Sequence, residues 1–222
     1  MFLDNGEIFH VKVDGVYLDL QLLGICQDNK TAGGKAGFTF QMKDIYSLDN
    51  TKSIAAGQGS FLSKMHSAMD TRGGWQNSLL RNELRTTFFA SLAPELQQSI
   101  APVTKFQQLP GGTTKGYLQV SYEETIWLPS LYEICGGYYA TRNESESSRD
   151  VPGYEPFGYQ AYAAGGAVSK QKTYNGSPYL WWTRSSYRSD TTDFNCVTAS
   201  GQEYSQCIVT YPTIGVVPCF CL

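Results

Sequence analysis

The C-terminal stretch, residues 179–222, constrains the fold more than any other part of this sequence. It opens with the adjacent pair Trp181 and Trp182 and closes on the largely apolar run 215–222. Large aromatic side chains contribute the most buried area to a core. Between these ends, residues 186–206 are rich in Ser, Thr, Tyr, Asp, Asn and Gln, the composition of adaptable contact surfaces. We therefore expect the apolar ends to form a scaffold and the polar middle to form a displayed binding face.

The remaining composition favours one α+β domain that spans residues 1–222. A chain of 222 residues can bury a substantial core. It contains 15 Tyr, 11 Phe and 22 Gly, and only 17% of its residues are charged, a profile that favours strands and loops over a helical bundle. Residues 136–176 mix a Ser/Glu run with glycines and tyrosines and are predicted as a long insertion loop. Its tyrosines would either join a contact surface or cover the core.

Charge and hydropathy argue against two classes of partner, nucleic acids and membranes. The net charge of −3 and the pI near 5.4 argue against a nucleic-acid-binding surface. No apolar run approaches the ~20 residues of a membrane helix. The first residues lack the basic and apolar regions of a signal peptide. We expect the protein to be made in a cytoplasm, from which lysis can still release it as part of a particle.

The cysteines and histidines do not predict a metal or cofactor site. The six cysteines form no C-x-x-C pair, and His10 and His66 are the only histidines. Cys196 and Cys207 flank a predicted hairpin turn and could face each other, but all six cysteines are expected to be free thiols.

Hydrophobic patterning predicts a series of short elements. These are a hairpin over 8–26 around Asp14-Gly15, a strand over 38–42, a short helix near 62–69, a helix capped by Asn77, a helix over 94–100, strands over 103–107 and 117–122, a strand running into a turn over 126–133, and a hairpin over 194–209. Glu133 is expected to face inward and bond to backbone rather than to serve as an acid or base. Arg81 and Glu83 are interpreted as solvated helix charges.

Four motifs resemble a family of domains without assigned function from bacteria and their phages. They are Trp75-x-x-Ser78-x-Leu80-Arg81-x-x-Leu84-x-x-x-Phe88, Trp127-Leu128-Pro129-Ser130-x-x-Glu133, Trp181-Trp182-Thr183-Arg184-Ser185, and Gly201 followed by 215–220. That family is similar to the C-type-lectin-like fold of the formylglycine-generating enzymes. It usually has Arg where this chain has Val217, which weakens any transfer of a site near the last strand.

The resemblance implies a C-type-lectin-like α+β fold with a mixed antiparallel sheet. The N- and C-terminal strands would pair, two helices would pack beneath, and long loops would project from one side. Some proteins of this fold are diversified by retroelements in a C-terminal segment, which retunes ligand binding, as in phage tropism determinants. The corresponding candidates for ligand binding here are Tyr187, Arg188, Asp190, Thr192, Asp193, Asn195, Thr198, Gln202, Glu203, Tyr204 and Gln206.

Three functions compete at this point. The first is a virion-associated binding module that recognises a host-surface protein or glycan. The second is a structural virion component that contacts neighbouring subunits, including further copies of itself. The third is an enzyme of the formylglycine-generating type, which is disfavoured because Cys219 and Cys221, the only close pair, fall in a predicted core strand. We expect a non-enzymatic protein.

Overall fold

The computed structural model describes residues 8–13, 16–45, 62–108, 119–136, 158–165, 167–187 and 191–222. Thirteen strands are described: β1 (Ile8–Val13), β2 (Val16–Ile25), β3 (Phe38–Met42), β4 (Leu62–Ser63), β5 (Val103–Gln108), β6 (Gln119–Glu124), β7 (Lys172–Tyr174), β8 (Ser177–Tyr179), β9 (Trp181–Ser186), β10 (Asp193–Val197), β11 (Glu203–Ile208), β12 (Ile214–Gly215) and β13 (Cys219–Cys221). The α-helices are α1 (Leu79–Glu83), α2 (Phe89–Ser91), α3 (Pro94–Ser99), α4 (Leu131–Cys135) and α5 (Gln160–Gly165). The predicted α+β class is confirmed.

An antiparallel sheet of four strands joins the two ends of the described chain. Its order is β1-β2-β3-β13, and the predicted N-terminal hairpin forms its first pair. In the third pair, Phe220 of β13 lies opposite Phe40 of β3. The expectation that the N- and C-terminal strands pair is therefore wrong: β13 joins the sheet of β1 but pairs with β3, whereas β1 pairs with β2.

A second sheet, of order β11-β10-β9-β12-β4, contains the Trp181–Trp182 end of the predicted scaffold, whereas the other end, β13, lies in the first sheet. Its pairs are antiparallel except that β12 runs parallel to β9, where Gly215 lies opposite Trp181. Every residue of β9 and β10 is buried, and both Trp181 and Trp182 have no exposed surface. The prediction that these tryptophans anchor the core is confirmed.

The helices begin and end where local chemistry allows. The backbone of α1 continues through a π-helical segment, Leu84–Phe88, into α2, and Leu80, Leu84 and Phe88 form its buried stripe. Ser78, rather than Asn77, caps α1, because its hydroxyl accepts a hydrogen bond from the Arg81 N–H at 3.0 Å. The helix over 94–100 is confirmed as α3, with Pro94 in its first turn.

Three predictions of local structure are wrong. Leu62–Ser63 is strand β4, not part of a helix, because it pairs with the distant strand β12. Residues 131–135 form α4 rather than a turn, because Ser130 and Glu133 form a capping box. Residues 136–176 are not one loop: the described part contains α5, a 3₁₀ turn over Val168–Lys170, and β7, while residues 137–157 lie outside the described residues.

The prediction of free thiols is wrong for Cys196 and Cys207, which form a disulfide. The Cα atoms of Cys196 and Cys207 lie 6.3 Å apart on the neighbouring strands β10 and β11, which is bonding range. The other four cysteines are free thiols, and Cys219 and Cys221 are buried. Within the described residues, no helix has both the length and the apolar character needed to cross a membrane.

Candidate binding face on the C-terminal hairpin

The hairpin of β10 and β11 combines a buried strand with an outer strand. β11 lies at the edge of its sheet, and β10 lies between β11 and β9. The disulfide between Cys196 and Cys207 links the two strands covalently. Because a crosslink removes alternative conformations, it holds the outer strand against the buried one.

The turn of this hairpin is also fixed. Gly201 donates its N–H to the Thr198 carbonyl at 2.9 Å, and Thr198 donates its N–H to the Gln202 carbonyl at 2.7 Å. The Thr198 hydroxyl accepts from the Gln202 N–H at 3.1 Å. Gly201 has φ +79°, and a Cβ there would lie 1.9 Å from the Ala167 carbonyl oxygen. Only glycine fits this contact, which packs the turn against the backbone of Ala167.

The structure divides the eleven predicted ligand-binding residues into four groups. Gln202 and Gln206 are exposed; Tyr187, Thr192, Thr198 and Glu203 are partly buried; Asp193 and Asn195 are buried; Arg188, Asp190 and the side chain of Tyr204 lie outside the described residues. We use the name hairpin face for Thr198, Gln202, Glu203 and Gln206, which lie at the turn or on β11.

The expectation that Asp193 and Asn195 are exposed is wrong. Both lie on β10, the inner strand of the hairpin, where neighbouring strands flank them on either side. The Asn195 amide donates to the carbonyls of Ser185 at 3.0 Å and Ser186 at 3.1 Å. The Asn195 carbonyl accepts from the Thr183 hydroxyl at 2.8 Å. Asn195 therefore holds β9 and β10 together and cannot touch a ligand.

The hairpin face is preorganised for polar contacts. Amide and carboxylate side chains supply both donors and acceptors of hydrogen bonds. Because the turn and the outer strand are already fixed, a ligand would order few groups on binding, and ordering costs are a main loss in association.

Sequence reasoning missed a second polar site, an ion cluster formed by Asp28, Lys105, Glu133 and Arg184. The Lys105 ammonium contacts the Asp28 carboxylate and donates to Glu133 Oε1 at 2.8 Å. Arg184 pairs with the other oxygen of Glu133 and donates to the Leu128 carbonyl at 2.9 Å. The cluster links β5, β9, the start of α4 and the segment after β2.

Aromatic residues complete the surroundings of Lys105. Its ammonium donates to the Tyr159 hydroxyl at 2.9 Å and lies 4.2 Å from the centre of the Trp127 ring, in cation–π range. Burial alone would lower the pKa of Lys105, but the carboxylates of Asp28 and Glu133 outweigh it, and the pKa is raised. Lys105 therefore stays charged.

Glu133 is held ionised by the same balance. Burial would raise its pKa, but Arg184 and Lys105 outweigh burial and lower the pKa to about 2. With two carboxylates and two cations, the cluster is neutral. The adjoining cavity encloses about 30 Å³, about enough for one or two waters. This geometry suits a structural network better than a substrate pocket.

Part of this cluster had a signal in the sequence. The inward orientation of Glu133 is confirmed, since its carboxylate accepts from the Ser130 N–H at 2.8 Å. Alternation along β5 places Val103, Lys105 and Gln107 on one buried face. A lysine between two inward-facing positions is the pattern that indicates a buried cation. Arg81, interpreted as solvated, instead pairs with buried Glu124 at 2.6 Å.

The thiols of Cys219 and Cys221 are protonated. Burial raises the pKa of both, and Cys221 has Asp28 as a further cause. The thiolate is the form that binds metals and attacks substrates. In the ranges that the structure describes, no group of three or more His, Cys, Asp or Glu side chains is placed to hold a metal ion.

Comparisons with known proteins identify a family to which no function has been assigned. No curated protein and no solved structure matches the chain. Residues 40–222 match the profile of a family described as a domain of unknown function, DUF6273. This match covers the ion cluster except Asp28, both strands of the C-terminal hairpin and all four motifs. The chain therefore belongs to the DUF6273 family of domains of unknown function.

Proposed function

We propose that this chain is a non-enzymatic ligand-binding module of C-type-lectin-like fold, associated with a phage virion, that recognises a host-surface protein or glycan through the hairpin face. The observation that carries the proposal is the hairpin itself: exposed Gln202 at its turn and exposed Gln206 on its outer strand, which a disulfide joins to a fully buried strand. A rigid polar edge on an apolar base is what a recognition surface requires. The association with a virion rests on the resemblance of the four motifs.

The state of the cysteines supports a binding role over formylglycine-type chemistry. That chemistry needs two thiolates, and the buried thiols of Cys219 and Cys221 have raised pKa values. Their strand, β13, pairs with β3 in the interior of the fold. Diversification, if it operates on this segment, would act on exposed positions such as Gln202 and Gln206, because Asn195 is needed inside.

The test compares two triple variants that each remove one carboxylate and two uncharged polar side chains. The hairpin variant is Gln202→Ala, Glu203→Ala and Gln206→Ala. The control variant is Glu95→Ala, Gln98→Ala and Ser99→Ala, three exposed positions of α3. Each purified protein is titrated against cell-envelope preparations from a panel of bacteria, and folding is checked by circular dichroism.

For any envelope preparation that binds the native chain, we expect the hairpin variant to bind at least about tenfold more weakly, since a few residues carry most of the binding energy. The control variant should bind like the native chain. Equal binding by both variants would reject the hairpin face as the binding site. If no envelope binds and the hairpin variant blocks particle assembly instead, the chain is a structural virion component.

A further inference from the structure

A second candidate site lies on the four-stranded sheet, at a groove with a volume of about 310 Å³. This volume is at the lower end of the roughly 300–1,000 Å³ range of ligand sites. Its lining comes from β2, from β3 and the residues that follow it, and from the β7–β8 hairpin: Tyr17, Leu18, Asp19, Met42, Asp44, Ile45, Thr173 and Asn175. None of these residues belongs to the hairpin face or to the ion cluster.

Three of the lining residues, Asp44, Ile45 and Thr173, are held together by hydrogen bonds. Asp44 Oδ1 accepts from the Thr173 N–H at 2.9 Å and from the Thr173 hydroxyl at 2.8 Å. The Ile45 N–H donates to the Thr173 carbonyl at 3.0 Å. Asn175 follows in the turn between β7 and β8, with φ +50° before Gly176 at φ +75°. The loop carrying Asp44 and the β7–β8 hairpin are thus fixed to each other, and the groove exists before any ligand arrives.

Tyr17 presents an open aromatic surface at this groove. It is 70% exposed, the most exposed large aromatic side chain among the described residues. Lys12 contacts its ring from β1, with the ammonium 5.7 Å from the ring centre. The groove lining includes Met42 of β3 and no described residue of β1, and β2 lies between these two strands. An aromatic face beside a preformed polar groove offers both stacking and hydrogen bonding to one ligand.

The charges around the groove balance. Asp19 contacts the His10 ring nitrogen at 2.9 Å and the Lys43 ammonium at 3.8 Å. Among the side chains with exposed surface here, Asp19 and Asp44 as anions balance Lys12 and Lys43 as cations; the Lys172 ammonium, which donates to the Met42 carbonyl at 3.1 Å, adds a positive charge beneath the groove but is fully buried. A site built for a cationic ligand would keep its negative charge unpaired. The balance favours a neutral ligand.

We propose that this groove binds a neutral saccharide. One apolar face of a sugar ring would stack on the Tyr17 ring, whose negative π-face attracts the C–H groups of the sugar. The sugar hydroxyls would donate to the carboxylates of Asp19 and Asp44, bonds that charge strengthens. The Asn175 amide would add a donor and an acceptor at the wall. The groove has the volume for one or two sugar rings.

The experiment uses the full chain and a printed panel of neutral, amino and acidic oligosaccharides, with tetramethylammonium as a separate cationic probe. Titration calorimetry follows for the best neutral saccharide. The variants are Tyr17→Ala, Tyr17→Phe and a matched control, Tyr211→Ala, which removes another exposed tyrosine, 51% exposed, away from the groove. Thermal melting verifies that all three variants fold.

We expect neutral oligosaccharides to bind the native chain and Tyr17→Ala to weaken that binding by about tenfold, the size of one aromatic contact. Tyr17→Phe, which keeps the ring, should stay within about threefold of the native affinity, and Tyr211→Ala should match it. The proposal is overturned if no neutral saccharide binds, if Tyr17→Ala binds as well as the native chain, or if only amino sugars and tetramethylammonium compete for the site. Failure here leaves the hairpin proposal intact, because the envelope titration of the hairpin variant reports on different residues.

Discussion

Two lysines, Lys105 and Lys172, are buried among the described residues, and they should respond differently to the same substitution. Lys105 has two carboxylate partners, Asp28 and Glu133, and its pKa is raised. Lys172 is equally buried but donates only to neutral oxygens, Gln21 Oε1 at 3.0 Å and the Met42 carbonyl at 3.1 Å. Replacing either lysine with methionine removes the charge and keeps most of the volume.

The expected cost of Lys105→Met follows from the carboxylates that it leaves behind. Removing one partner from a buried ion pair typically costs about 3–5 kcal/mol, since the remaining charge stays buried without compensation. Domains of this kind have a total stability of about 5–15 kcal/mol. We therefore expect Lys105→Met to lose a large fraction of the free energy of unfolding. Adding Asp28→Asn to Lys105→Met should recover part of that loss.

For Lys172→Met, two effects oppose each other. Burial lowers the pKa of Lys172 from 10.5 to about 8. That fall corresponds to about 3 kcal/mol of cost for keeping the charge buried at neutral pH. Methionine removes this cost but leaves two acceptors without a donor, at about 1–3 kcal/mol each. The two effects are of similar size, so the net change in the free energy of unfolding should be smaller than the loss expected for Lys105→Met.

The assay is guanidinium denaturation at pH 7, followed by the fluorescence of the four tryptophans, all of which are fully buried. Lys172→Met serves as the control for the loss of a buried lysine as such. Equal losses in the two single variants would refute the reasoning that ion pairing, rather than burial alone, decides the contribution of each lysine.

Three further predictions test separate features of the fold. Because the folded pKa of Glu133 is about 2 against an ordinary value of 4.5, its contribution is complete above pH 4.5 and is lost as pH falls toward 2. Glu133→Gln should therefore be less stable at neutral pH and show a flatter stability profile between pH 5 and pH 2, measured by denaturant titration. The double variant Cys196→Ser and Cys207→Ser should lose about 2–3 kcal/mol. Dithiothreitol should lower the melting temperature of the native chain to match this variant, and no shift with dithiothreitol would contradict a stabilising disulfide. Gly201→Ala should destabilise more than Gly176→Ala, because both have positive φ but only Gly201 has a carbonyl within 1.9 Å of the added carbon, whereas Gly176 faces open space. Equal melting temperatures for these two variants would contradict the close packing of Gly201 against the Ala167 carbonyl.

Local patterns predicted most of the strands and the main helix. Alternation and the Asp14-Gly15 signal located β1 and β2, and the four-residue stripe of Leu80, Leu84 and Phe88 located α1 and its continuation. These elements agree with prediction because their hydrophobic period and their turn chemistry lie within a few residues of each other.

Features that depend on distant residues could not be predicted in this way. Leu62–Ser63 becomes a strand through its pairing with Ile214–Gly215, about 150 positions away in the chain. Asn195 is typical of a surface hairpin by residue type, but its strand is enclosed by β9 and β11. The ion cluster joins four residues from four separate segments: Asp28, Lys105, Glu133 and Arg184. Their spacing along the chain does not predict that they contact each other.

The position of β13 also has a consequence for the time order of folding. Its residues pair with β3, Trp127 exchanges backbone hydrogen bonds with Cys219, and the Ala101 N–H donates to the Cys221 carbonyl. The three segments that bond to β13, namely β3, Ala101 and Trp127, are synthesised well before it. They can form these hydrogen bonds only after residue 221 has left the ribosome. Contacts with such long sequence separation slow folding, since loop closure precedes their gain. We expect the nascent chain to stay partly collapsed until β13 has been synthesised. It should therefore depend on chaperones during synthesis more than a protein of equal size whose contacts are mostly local.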